Sequence, residues 1–272
     1  MLVDRKREIR KFADSFRGKC KVGRYGIIDL FKECERCGYK LVRYPLGNDG
    51  DLGFAMKKDG DVIIFTNSCS RLSREIFTLA HEIGHAVIHL NEKQSFIDDN
   101  ATIADISDDE MEKEANYFAA CLLMPSDEVD RFIDLEIPDY KKNNLSAMDI
   151  ARIMSEFYVS YDMVLNRLES LGKIDGAQKL QLDTERNEKR VGNLLRSIGR
   201  NAKLNIASEE IYLPYEYIDY VIYNYNHNAI PKETLEKALS YYKLTYDDIS
   251  DRILDFSESE DDLDELIGGL ED

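Results

Sequence analysis

Arg74-Glu75-Ile76-Phe77-Thr78-Leu79-Ala80-His81-Glu82-Ile83-Gly84-His85-Ala86-Val87-Ile88-His89-Leu90 is the stretch on which the reading of this chain turns. Outside the motif H-E-x-x-H itself, residues 76 to 90 are almost entirely apolar, which describes a buried helix. In a helix, residues four apart stand about 40° from eclipsed and roughly 6 Å apart along the axis. His81 and His85 therefore share a face and can share a metal ion, with Glu82 beside them. A zinc peptidase needs this set: two neutral nitrogen ligands, and a carboxylate to take a proton from the water that the metal activates. As ordinary core groups, the same histidines would leave Glu82 buried at an uncompensated desolvation cost.

Such a site needs a third protein ligand. The segment from Asp108 to Met124, closed by Pro125, reads as a second helix with an acidic first turn that suits the macrodipole. Met111, Ala115, Phe118 and Leu122 form its apolar stripe. Glu112 and Asn116 lie on one flank and Glu114 on the other, and spacing does not choose between the glutamates. His89 continues the face of His85 but stands about 12 Å from His81 along the axis, too far to complete one tetrahedron with both histidines. In the longer pattern with three histidines, the third would fall at residue 91, which is Asn91. A glutamate ligand is therefore expected. Gly84 costs about 1 kcal/mol in helix propensity relative to alanine, and is read as room for another backbone or for substrate beside the metal.

The two blocks F-T-L-A-H-E-I-G-H (77–85) and E-K-E-A-N-Y-F-A-A-C-L-L-M-P (112–125) together resemble the ImmA/IrrE family of zinc peptidases, over roughly residues 25 to 172. The resemblance implies an α+β, zincin-like core: a small sheet, a metal-binding helix and a ligand helix, followed by a largely helical C-terminal part. It implies Zn2+ held by His81, His85 and Glu112, with Glu114 as the fallback ligand and Glu82 as the general base. Asn116 would then orient an imidazole or carboxylate, and His89 would support the ligands or pack. It further implies an intracellular endopeptidase acting on a protein such as a helix-turn-helix repressor.

Composition bounds the rest. The 272 residues carry 33% charged residues and a net charge of −17, with a mean hydropathy of −0.43. The first residues show no apolar secretory segment, and no uncharged apolar run approaches the ~20 residues of a membrane span, so a cytoplasmic protein is expected. Residues 1–24 hold nine basic and three acidic groups, which leaves −23 on the remainder. An acidic body disfavours direct nucleic-acid binding and suits a basic client, such as a DNA-binding repressor. Five cysteines fit a reducing compartment. Cys34-Glu35-Arg36-Cys37 has no second pair at zinc-ribbon spacing and reads as thiols of a helix.

Along the chain, residues 5–18 and 27–37 read as helices, and Tyr39–Tyr44, Leu52–Lys58 and Val62–Asn67 as strands. Asp59-Gly60 signals a hairpin between the last two. Val62–Asn67 is the strand nearest the metal helix in sequence, though its place in the sheet is open. Residues 91–107 form a polar connection, a cleft wall or a plain loop. Residues 146–172 are helix-turn-helix-like, with a capping-box start at Ser146 and Asp149. Residues 178–200 read as a charged helical connector, and nine of the sixteen tyrosines fall between Tyr212 and Tyr246, read first as core packing of amphipathic helices. The division expected is a basic N-terminal helix (1–24), a peptidase core (25–135), a helical subdomain (136–173), a Tyr-rich region (174–250) and an acidic tail (251–272). His227, Tyr158 and Tyr161 are candidate oxyanion donors. The rival from another class is a regulator or toxin-like interaction module with structural zinc and a partner-binding C-terminal region. A DNA-binding factor using residues 146–172 is a second rival.

Overall fold

A computed structural model describes residues 1–47, 49–50, 52–90, 110–137 and 144–254, together with the backbone of 95–98. Most of the 91–107 connection, including Asn91, the first residues expected of the ligand helix (108–109) and the tail beyond residue 254 lie outside the described residues. The described chain divides into two compact units, Met1–Tyr212 and a second from Leu213 onward. Residues 174–212, grouped by sequence with the C-terminal region, belong to the first unit.

In the first unit, α1 (Val3–Arg17) buries Ile9, Ala13 and Phe16, a stripe at helical spacing, and α2 (Leu30–Arg36) starts where Asp29 accepts from the Lys32 backbone N–H. Four strands follow: β1 (Lys40–Tyr44), β2 (Gly53–Lys58), β3 (Asp61–Asn67) and β4 (Ser95–Asp98), in the order β1-β3-β2-β4. β2 and β3 form the expected hairpin. Asp59 and Gly60 have φ of 53° and 93°, as a two-residue turn of mirror-image type requires. β1 runs parallel to β3, and β4 pairs antiparallel with β2. The strand nearest the metal helix in sequence, Val62–Asn67, is thus interior. The edges are β1 and β4, and β4 arises inside the stretch read from sequence as a connection.

The helix α3 (Leu72–Ile88) crosses the sheet with Ile76, Leu79, Ala80 and Ile83 in the core, and packs on α4 (Glu110–Leu123). Behind these lie α5 (Ser126–Glu136), α6 (Ala147–Phe157) and α7 (Tyr161–Ser170). Ser146 and Asp149 form the expected capping box, and Tyr158, in the left-handed region, ends α6. In α7 the exposed positions are Asp162, Asn166, Glu169 and Ser170. Its arginine, Arg167, turns inward to donate to Met124 O at 2.9 Å. The sequence read as a connector forms α8 (Gly176–Lys189) and α9 (Val191–Ser197), whose Leu182, Leu194 and Leu195 are buried in the main core.

Residues 206–212 then return to the sheet. Arg43 and Tyr212 exchange backbone hydrogen bonds of 2.8 and 2.9 Å, which occupies the outer side of β1 there, and the Leu72 N–H donates to Ile206 O. The buried Arg43 gathers this segment onto α3. Its guanidinium lies over the Phe31 ring, donates twice to Glu75 at 2.8 and 2.9 Å, and reaches Ser208 and Glu210.

The second unit has its own small core. Val221 and Ile222 of α10 (Glu216–Asn226) meet Leu235, Ala238 and Leu239 of α11 (Lys232–Tyr241) and Ile249 of a closing 3-10 turn. Tyr215, Tyr217, Tyr220 and Tyr223 are exposed, because Val221 and Ile222 fill the apolar face of α10. Core packing does not account for these four tyrosines.

Candidate metal centre

His81, Glu82 and His85 are fully buried on α3. The approach of α4 is set by Gly84, where an added Cβ would stand 3.2 Å from Ala115 Cα and 3.3 Å from Ala115 O. Of the two uses read for this glycine, room for another backbone is the one observed. Gly53 does the same for β2: its missing Cβ would stand 2.5 Å from Thr78 Cγ2 and 3.1 Å from Glu82 Oε1. The start of β2 is thereby seated against the carboxylate.

This packing brings Glu112 to the histidines. Its Oε2 lies 3.1 Å from His81 Nε2 and 3.3 Å from His85 Nε2, and the two Nε2 atoms are 2.9 Å apart. One helical turn further along α4, Asn116 places Oδ1 3.0 Å from His81 Nδ1. An amide oxygen only accepts, so this nitrogen of His81 carries the proton. Glu114, on the other flank as its spacing requires, lies 3.1 Å from His89 Nε2. His89 Nδ1 is in turn 3.1 Å from His85 Nδ1. The structure therefore separates the two glutamates that spacing leaves equivalent.

Burial holds the His85 imidazolium down to about 4, against the opposing hydrogen bond with Glu112, so the ring is neutral near pH 7. Burial pushes the Glu112 carboxyl up, but the neighbouring His81 and His85 rings outweigh it and hold the group at about 2. A neutral imidazole and an ionised carboxylate are the states in which these groups bind metal. One donor atom from each of His81, His85 and Glu112 lies within 4.8 Å of the others. Donors on a tetrahedron with bonds of about 2.0–2.1 Å stand roughly 3.3–3.4 Å apart. The observed 2.9–3.3 Å needs only a slight opening, so the residues present fit a metal ion.

Of the candidate oxyanion donors in the first unit, the Tyr161 hydroxyl donates to Leu182 O on α8 and Tyr158 caps α6. His227 belongs to the second unit, where it stacks on Tyr223. Cys34 is buried, which pushes its thiol well up, and the cysteines, including the C-x-x-C pair, are free thiols. Two residues at the centre escaped the sequence reading. Gly53 is marked by nothing but being a glycine at a strand start. Arg5, which pairs with Glu114 at 2.5 and 2.7 Å, is one of nine basic residues near the N-terminus.

A sheet crossed by a helix bearing H-E-x-x-H, with a second helix adding a glutamate, defines a zincin-like metallopeptidase. Residues 34–169, half of the chain, match the family model Peptidase_M78, described as the IrrE N-terminal-like domain. The chain belongs to this metallopeptidase family. The match takes in His81, Glu82, His85, His89, Glu112, Glu114 and Asn116, but neither Arg5 nor the 206–212 segment. Comparison with curated proteins gives no match. No described helix is long and apolar enough to cross a membrane.

Proposed function

We propose that the protein is an intracellular zinc endopeptidase that cleaves a specific regulatory protein, with a basic helix-turn-helix repressor as the client its charge suits best. The observation that carries this reading is the convergence of His81, His85 and Glu112 beside Glu82, within the residues that match the family. Those three residues would hold Zn2+, which supplies a Lewis acid that polarises the scissile carbonyl and makes water acidic enough to ionise near neutrality.

The chain's own residues do the rest. Asn116 keeps the His81 proton on Nδ1 and the ring in place. Glu82 accepts the proton of the attacking water and returns it to the nitrogen of the leaving amine. Gly53 seats β2 close to that carboxylate. Because Tyr212 occupies the outer side of β1 at Arg43, β4 is the edge on which an extended client segment would add as a strand, gaining main-chain hydrogen bonds. A net charge of −17 draws a basic client by long-range attraction, so cleavage should slow as salt is raised.

The test is Glu82→Gln with the client co-expressed. Retained zinc with lost cleavage supports the reading. Function in cells that survives the change removes it, and leaves the interaction-module reading, for which the exposed tyrosines of the second unit offer a partner surface.

A further inference from the structure

The two histidines are supported differently. Behind His81 stands Asn116, whose Oδ1 is carried by the same helix as Glu112. Behind His85 stands a chain of three groups that ends on another helix: His85 Nδ1 to His89 Nδ1 at 3.1 Å, His89 Nε2 to Glu114 Oε2 at 3.1 Å, and Glu114 clamped by Arg5 of α1 through Nε at 2.7 Å and a terminal nitrogen at 2.5 Å. His89 is buried.

The proton positions along this chain follow from donor chemistry. Arg5 only donates, and the ionised carboxylate of Glu114 only accepts. His89 must therefore carry its proton on Nε2, the nitrogen that faces Glu114. A neutral His89 then has only a lone pair at Nδ1, so the proton between the two rings belongs to His85 Nδ1. That leaves the Nε2 of His85 unprotonated, and this is the atom that faces His81 and Glu112. Were Glu114 unclamped and turned away, His89 could carry its proton on Nδ1 instead. The two Nδ1 atoms would then meet productively only with the His85 proton shifted to Nε2, where it would occupy the metal position.

We infer that Arg5, acting through Glu114 and His89, is a positioning residue that fixes the tautomer of His85 and so presents its Nε2 lone pair to the metal. The N-terminal helix, which lies outside the residues that match the family, is thereby coupled to the metal centre. The inference rests on the reading of His81, His85 and Glu112 as metal ligands.

The experiment measures zinc affinity of the full chain against a competing chelator, for wild type and for Arg5→Met, His89→Leu, His89→Gln and Glu112→Ala. The visible bands of the cobalt-substituted forms are recorded alongside. Arg5→Met and His89→Leu are expected to weaken zinc binding by about 10- to 100-fold and to shift the cobalt bands. His89→Gln is expected to restore both, since its amide can accept from His85 and donate to Glu114 at once. Wild-type affinity in both Arg5→Met and His89→Leu would overturn the inference while leaving the metal site standing. So would a His89→Gln variant no better than His89→Leu, which would mark His89 as packing alone. Should His89→Leu fail to fold, Arg5→Met decides, because Arg5 lies on the partly exposed face of α1. A wild type that holds no zinc, or a Glu112→Ala variant that holds it as tightly as wild type, would instead overturn the reading of the centre itself.

Discussion

Gly84 and Ala115 bring the backbones of α3 and α4 together so closely that a Cβ on the glycine would lie 3.2 Å from the alanine Cα. Glu112 stands one turn before Ala115 on the helix so placed, and this spacing sets its reach to both histidines. Alanine at residue 84 would favour the helix locally by about 1 kcal/mol, but backbone on the far side must give way by a few tenths of an ångström. Gly84→Ala is therefore expected to fold with unchanged helix content and to bind zinc about tenfold more weakly, as loosened support of a ligand typically does. Competition with a chelator measures it, and unaltered affinity would show that α4 is free to adjust.

The two glutamates of α4 should separate cleanly in metal content. Glu112 faces both histidine Nε2 atoms, whereas Glu114 faces His89 and Arg5. Glu112→Ala is expected to purify without zinc. Glu114→Ala is expected to purify with zinc and to release it faster to a chelator. The reverse order would exchange their roles.

The ion pair of Arg43 and Glu75 is almost wholly buried, with side-chain exposures of 7% and 0%. Removing one member strands a charge in the core, which costs about 3–5 kcal/mol. Arg43→Met should lower the urea midpoint accordingly, while Arg43→Met combined with Glu75→Leu should regain most of the loss, since neither charge is then left buried. A single variant as stable as wild type would mean that water reaches Glu75.

Truncation distinguishes the two units. A chain ending after Tyr212 keeps the whole first unit and should unfold cooperatively. A chain ending after Lys173 loses Leu182, Leu194 and Leu195 from the core together with the segment that covers β1. It should be poorly folded or aggregated. Equal stability of the two, by thermal melting, would show that α8, α9 and residues 206–212 are dispensable.

What could be read in the sequence was local. H-E-x-x-H needs only helical spacing to place His81 and His85 together, and Asp59-Gly60 specifies a turn between its own strands. The glutamates needed the crossing of α3 over α4, which depends on a glycine whose purpose is visible only beside Ala115. β4 was hidden because its pairing with β2 joins residues about forty apart. The contacts of Arg43 with Ser208 and Glu210 span 165 and 167 positions, and that of Arg5 with Glu114 spans 109. No periodicity in the chain encodes partners so distant. The four exposed tyrosines of the second unit show the converse: aromatic content suggests a core, and only packing shows which residues fill it.

The central claim, that Glu82 moves the proton in peptide hydrolysis at this centre, is tested most directly by Glu82→Gln, with zinc content and client cleavage measured on the same preparation. The amide keeps the shape of the carboxylate and cannot act as the base. Zinc at the wild-type level and cleavage slowed by at least about 100-fold are expected. Cleavage within a few-fold of wild type, with zinc retained, would contradict it.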